Sequence, residues 1–284
     1  MTKIKYLYHH TNYHSHTWLC RHAEGEPIDY LKEAKRTNLN ILGISDHAPF
    51  QVLYDRGSTR MTISEYYSKY IPMLNRAKEY ANQNNIKLYY GLEIEYLPNY
   101  DDYYLELFED MDYLILGQHY IIDENNKLKS SFGLKTKEQV KIYRDMILEA
   151  LETNYFSLVC HPELCFYAIS NPTDEMYELL RPVIKKCVKL DIPLELNANG
   201  IRKVYYRGQD INDYSKYPYP QPKFWQMVKE EGATGIITSD AHQINELNDW
   251  AVEKTYEFAN NLGIKLITKL QLKPNPHKQK EDEI

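Results

Sequence analysis

The chain has 284 residues, of which 34 are basic and 40 acidic, leaving a net charge of −6. At 43% hydrophobic and 26% charged it has the make-up of an ordinary soluble globular protein, which excludes disordered, collagenous and disulfide-scaffold classes. Mild acidity without a dense Lys/Arg block argues against tight nonspecific nucleic-acid binding, which rests on neutralising phosphates.

In chain order, short apolar runs rich in β-branched residues predict strands at Lys5 to Tyr13, Ile41 to Ser45, Leu88 to Ile94, Tyr113 to Gly117, Phe156 to Cys160, Pro193 to Leu196 and Gly235 to Ser239. Between and after them, apolar residues at helical period predict helices near Ile28 to Thr37, Ser64 to Asn84, Lys137 to Thr153, Asp174 to Lys189, Gln221 to Glu231 and Glu246 to Leu262. Ser64 before Glu65 reads as a helix start, Asn84-Asn85 as a stop, and Gly263 as the end of the last helix. Alternation of strand and helix is the mark of repeated βα units. No linker or repeat divides the chain, so one domain over 1–270 is expected, with 271–284 a tail that begins as a strand fragment. No run of about 18 apolar residues occurs and the N-terminal segment turns polar early, so a cytoplasmic, membrane-free protein is expected. Cys20, Cys160, Cys165 and Cys187 show no C-x-x-C spacing, which argues against a zinc ribbon or a redox pair.

The informative feature is the placing of the ten histidines. Seven fall at or just beyond the C-terminal end of a predicted strand: His14, His16, His22, His47, His119, His161 and His242. Glu93 and Asp240 stand at equivalent places. In a parallel barrel all strand C-termini face one way, so these nine residues would share one mouth. Taken singly, each motif has an ordinary explanation. H-x-H at 14–16 recurs by chance, and Asp46-His47, His119 and His161 each suit a polar group satisfied at a strand end. Asp240-Ala241-His242 puts a carboxylate and an imidazole on one face. Together they are costly to bury unless cations lie among them. Nine nitrogen and oxygen donors without thiolates exceed the needs of one tetrahedral ion and suit two or three ions of zinc, manganese or iron. Multi-metal sites generate hydroxide near neutral pH and clamp phosphoryl oxygens, so hydrolysis is the natural chemistry.

Seven stretches carry a family resemblance: HSHTWLCRH (14–22), SDHAPF (45–50), GLEIEY (91–96), GQHY (117–120), CHPE (160–163), LNANGIRK (196–203) and SDAHQ (239–243). In this order they resemble the PHP-domain (polymerase and histidinol phosphatase) metallophosphoesterases, and within them the histidinol-phosphatase branch. The resemblance implies an α/β fold, a distorted (β/α)7 TIM-like barrel with three metal ions at the C-terminal ends of its strands. It assigns His14, His16, Glu93 and Asp240 to a first metal, with Glu93 bridging to a second completed by His119 and His161. His22, His47 and His242 would hold the third, and Glu93 and Asp240 would serve catalysis. His9, His10 and His277 match no ligand. Asn12 stands where relatives usually carry Asp, which puts a hydrogen bond behind the first metal in question.

The activity implied is hydrolysis of L-histidinol phosphate to L-histidinol and phosphate, a step of histidine biosynthesis on a small-molecule phosphate ester. Accelerations for monoester hydrolysis approach ~10²¹-fold, so a multi-metal clamp is proportionate. Arg202, read as part of a turn, is the expected phosphate clamp, since a guanidinium grips two oxygens at once. Relatives tend to carry a second basic residue shortly after the equivalent of His161, where this chain has Cys165-Phe166-Tyr167; Lys203, Arg207 or Arg60 are its substitutes. Glu95, on the same strand face as Glu93, is expected to meet the substrate's ammonium or to donate a proton. Two alternatives stand beside this one: another phosphomonoester, nucleotide or nucleic-acid end on the same metal site, and a noncatalytic metal-binding module.

Overall fold

The structure, a computed structural model, describes residues 10–56 and 59–273. Among these residues ten strands form: β1 (Thr11–Asn12), β2 (Ile41–Ile44), β3 (Lys87–Ile94), β4 (Tyr113–Leu116), β5 (Tyr120–Ile122), β6 (Leu128–Ser130), β7 (Phe156–Val159), β8 (Leu194–Asn197), β9 (Gly235–Thr238) and β10 (Leu266–Ile267). Eight of them make one parallel sheet in the order β1-β2-β3-β4-β7-β8-β9-β10, and β5 and β6 form an antiparallel hairpin. All seven predicted strands are present. The first is seen over β1, its stretch before His10 lying outside the described residues. The strand expected at the start of the tail is β10, a few residues earlier.

The sheet curls on itself. Beyond β1, Ser15 pairs in parallel with Ala241 beyond β9, and His16 N–H donates to the Ala241 carbonyl at 2.9 Å. At the other end β10 lies beside β9, and the Thr11 hydroxyl donates to the Thr268 carbonyl. The α/β barrel therefore closes through seven strands at its C-terminal rim, with β10 wedged in at the base.

Strand alternation sorts the side chains of this barrel. Leu114 and Leu116 of β4, and Leu194 and Leu196 of β8, pack outward into the large cluster shared with the helices. Tyr113, Ile115, Leu158 and Ile236 turn inward with Tyr13, and Leu270 joins this interior cluster. The same alternation in β3 and β8 gives the buried Glu93 and Glu195 the parity opposite to their outward-packing leucine neighbours. Several of the abundant tyrosines tie layers together: Tyr70 donates to the Gly91 carbonyl at 2.9 Å and Tyr113 to that of Tyr13 at 2.7 Å.

Helices form over Pro27–Arg36, Lys137–Glu152, Pro222–Glu230 and Trp250–Leu262, within a few residues of expectation. Thr62, not Ser64, caps the second helical stretch, in a reciprocal box with Glu65. A π turn at Tyr66–Tyr70 then leads into Ile71–Gln83. The helix expected over Asp174 to Lys189 is two, Asp174–Glu178 and Arg181–Leu190, the second with a proline in its first turn. Two helices were not anticipated, Asp101–Asp110 and Ala198–Tyr206. Among the described residues no helix is long and apolar enough to cross a membrane.

Candidate metal centre

All nine side chains that the sequence picked out stand at the C-terminal rim of the barrel, and they fall into adjoining groups. In the first, His14 Nε2 lies 3.1 Å from His16 Nε2, 3.4 Å from Glu93 Oε2 and 3.5 Å from Asp240 Oδ1. His16 Nε2 stands 3.7 Å from Glu93 Oε2 and 3.0 Å from Asp240 Oδ1. Donors about 2.0–2.2 Å from a tetrahedral ion are roughly 3.3–3.6 Å from one another, so this spacing is that of a coordination shell.

Glu93 reaches a second group through its other oxygen. Oε1 is 3.0 Å from His161 Nε2 and 3.3 Å from His119 Nε2. The third group, His22, His47 and His242, has ligand atoms within 4.8 Å of one another. His47 also puts Nδ1 3.0 Å from Glu93 Oε2, so it adjoins both the first and third groups.

What stands behind each ring decides which nitrogen faces the cleft. His14 Nδ1 donates to Glu195 at 2.6 Å, His16 Nδ1 to Asp46 at 3.4 Å, and His119 Nδ1 to Glu95 at 3.0 Å. The Nδ1 atoms of His22 and His242 donate to the carbonyls of Cys20 at 2.7 Å and Asp240 at 3.1 Å. Five Nε2 lone pairs thus point into the mouth. Those of His14 and His16 converge where neither can donate to the other, an arrangement that a shared cation satisfies. Protonation equilibria show the same demand for positive charge. Although burial opposes it, Asp240, Glu195 and Glu93 raise the His14 pKa well above its ordinary value. His119, also buried, is pushed up to about 10 chiefly by Glu93. Against their own burial, Glu93 is held well below the usual carboxylate range by His119 and His14, and Asp240 by His14 and His16. These residues fit divalent metal ions.

Backbone geometry serves the same end. His161 and Asp240 adopt positive φ, 28° and 46°, an unfavourable conformation for residues with a Cβ that holds them on the rim. A Cβ at Gly117 would stand 2.2 Å from Glu93 Oε1, so the bridging carboxylate occupies space that only glycine leaves. Asn12 accepts from Ser239 N–H at 2.8 Å and donates to the His14 carbonyl at 3.0 Å. An ionised Asp could accept there but could not donate.

Two expectations need correction. Arg202 does not line the cleft: it lies on the inner face of the helix Ala198–Tyr206 and is fully buried. It forks onto Asp249 at 2.9 Å through Nε and Nη2 and donates to the carbonyls of Ser239 and Glu246 at 2.6 and 2.7 Å. Glu95, expected to meet the substrate's ammonium or to donate a proton, is not among the residues that line the cleft. Both its oxygens take Arg60, at 2.8 and 3.1 Å; despite complete burial, its pKa is lowered to about 2, mainly by that guanidinium. Its place is behind His119. The cluster also has thiol neighbours. Cys20 Sγ lies within 4.8 Å of ligand atoms of His16 and His242, and Cys160 Sγ of those of His14 and Glu93. Burial raises both thiol pKa values and keeps them protonated.

Of the other basic candidates, Lys203 lines the cleft, its ammonium making no hydrogen bond or ion pair among the described residues. Arg207 sits over the Tyr167 ring and donates to its hydroxyl. His10 is exposed at the barrel base, beside the Asn38 carbonyl, and His9 and His277 lie outside the described residues. Glu195 and Asp46 were missed as supports of the rim. A glutamate between the leucines of PLELN, in a strand that packs on both faces, was the available signal for the first. The cleft over the rim has a volume of about 480 Å³, ordinary for a small-molecule site.

Residues 12–199 match the family described as PHP domain. A Deinococcus radiodurans protein named "Probable histidinol-phosphatase" is 28% identical over 250 residues, covering 82% of this chain and 86% of that protein. A Schizosaccharomyces pombe protein of the same name is 22% identical over 270 residues, 86% of this chain and 84% of its own length. Among solved structures, the histidinol phosphate phosphatase of Lactococcus lactis subsp. lactis, complexed with Zn, L-histidinol and phosphate, superposes with a TM-score of 0.66 at 16% identity. The match covers 93% of this chain and 99% of that one.

Proposed function

The chain belongs to the PHP domain family, and from that membership we propose that it is a metal-dependent histidinol-phosphatase, hydrolysing L-histidinol phosphate to L-histidinol and phosphate. The observation that carries this reading is that a bacterial and a fungal relative, each matched over more than four-fifths of this chain, share that name. The completeness of the nine-residue rim supports a working phosphatase over a noncatalytic module.

His14, His16, Glu93 and Asp240 would hold one divalent ion. Glu93, His119 and His161 would hold a second, and His22, His47 and His242 a third. Zinc, manganese and iron all suit these donors. Ions bound here lower the pKa of water and offset the charge of the phosphoryl oxygens.

The protein's own part is positional and electrostatic. Asn197 and Asn199 donate to Asp240 Oδ2 at 3.0 and 3.2 Å, turning Oδ1 toward the imidazoles. Lys203 faces the same mouth, close enough to Asp240 for each to act on the other's charge. It takes the part first given to Arg202, adding a cation to the phosphoryl oxygens. Phe132 lies parallel to the His119 ring at 5.9 Å and Tyr219 stands 5.6 Å from that of His161, so this wall of the cleft is aromatic. It offers apolar faces to an imidazole side chain and limits water there.

The test pairs elemental analysis of the purified protein with phosphate release from histidinol phosphate, sugar phosphates and a single-stranded oligonucleotide. The expected result is two or three ions per chain and preference for histidinol phosphate. Preferential cleavage of the oligonucleotide, or no turnover by a metal-loaded sample, overturns the reading.

A further inference from the structure

Among the described residues three carboxylates line the cleft: Glu93, Asp240 and Glu246. The first two are committed to the ion-binding rim and the third is not. Glu246 is only 6% exposed, and its Oε2 accepts the backbone N–H groups of His242 at 2.9 Å and Gln243 at 3.0 Å, which fixes the carboxylate in place. Oε1 is poorly matched by comparison. The exposed Tyr206 hydroxyl reaches it at 3.4 Å, and Arg202 Nε stands 4.0 Å away while donating to Asp249 at 2.9 Å. Arg202 is forked onto Asp249, so among the described residues no cation donates a hydrogen bond to Glu246 Oε1. A buried carboxylate in that position is costly unless a positive group joins it.

We propose that Glu246 is the specificity residue for an aminoalkyl phosphate, its Oε1 receiving the substrate's ammonium beside the phosphate site. This rests on the histidinol-phosphatase reading and adds to it the group that distinguishes an amine-bearing ester from a plain one. Histidinol phosphate carries its ammonium on the carbon next to the esterified one, so a site for it must present opposite charges side by side. The cleft does so: Lys203, on the helix Ala198–Tyr206, and Glu246 both line it. The competing explanation is that Glu246 serves only as a cap, since it closes a reciprocal box with Gln243. Glu246→Gln separates the two, because an amide oxygen still accepts the backbone N–H groups but no longer offers a charge.

The experiment measures kcat/KM for histidinol phosphate and for its deaminated analogue, imidazolylpropyl phosphate, in wild type, Glu246→Gln and Glu246→Asp, each with its metal content verified. L-Histidinol binding to the metal-loaded proteins is followed by calorimetry. The expected result is that the preference for the amine-bearing ester falls about tenfold or more in Glu246→Gln and less in Glu246→Asp, with a parallel weakening of L-histidinol binding. Should one variant fold poorly, the other decides. A wild-type protein that prefers histidinol phosphate, with variants that keep the preference and bind L-histidinol as well, overturns the assignment to Glu246 alone. Wild type hydrolysing neither ester overturns both this inference and the reading beneath it.

Discussion

His14 shows how much of a metal centre is decided by groups that never touch the ion. Its Nδ1 donates to Glu195, whose two oxygens also accept from Thr238, the His161 backbone N–H and Asn197. One carboxylate within β8 therefore sets the His14 tautomer and steadies the turn that carries His161. Replacing Glu195 by Gln keeps the volume but removes the charge and makes acceptance from Nδ1 compete with an amide donor. The expected outcome is a fall in metal affinity of about 10–100-fold, measured by titration against a competing chelator, with the protein still folded. Unchanged affinity would show that the ring holds its orientation without Glu195. The ligands themselves were legible because each sits at a strand end where type and position coincide. Their supports were not, since the partner of His14 lies 181 residues away and only the closed barrel brings the two together.

At the level of whole elements, the β-strands were readable because their apolar runs are short, continuous and bounded, as parallel strands packed on both faces must be. The helix Ala198–Tyr206 was hidden by its own opening. Asn197-Ala198-Asn199-Gly200 has the composition of a turn, yet Asn197 caps the helix by accepting Asn199 N–H at 2.9 Å. Gly200 is needed because a Cβ there would stand 1.9 Å from the Tyr219 carbonyl oxygen. Missing that helix misplaced Arg202: in a turn it would be free to reach substrate, whereas in the helix it faces inward. There it joins the helix to the loop that carries Asp240 and His242 and to Asp249, the cap of Trp250–Leu262. Arg202→Met is accordingly expected to cost about 3–5 kcal/mol of stability by leaving Asp249 and two carbonyls without their donor. Denaturant unfolding measures this. A raised KM with unchanged stability would instead return Arg202 to the phosphate.

For the molecule as a whole, the rim is where the fold's least favourable electrostatics are gathered. Ligands come from the ends of β1, β2, β3, β4, β7 and β9, and β8 supplies Glu195, so all seven strands of the closed barrel converge on one group of charges. Glu93, Glu195 and Asp240 are buried together, and Ser15 and Ala241 close the barrel within the same layer. Cations bound at this seam act on the junction between the first and last parts of the chain, so their effect on stability extends to the whole barrel. By mass action, an ion present at a hundred times its dissociation constant adds about 2.7 kcal/mol. For a chain of this size that corresponds to roughly 4–5 °C in the thermal midpoint. Removing metal with a chelator is expected to lower the midpoint by that order while preserving one cooperative transition, and adding zinc or manganese back should restore it. Calorimetry with and without chelator measures this. A midpoint that ignores the chelator in a sample shown by elemental analysis to have lost its metal would mean that the rim is held by protein contacts alone, with its lone pairs and carboxylates balanced by bound protons.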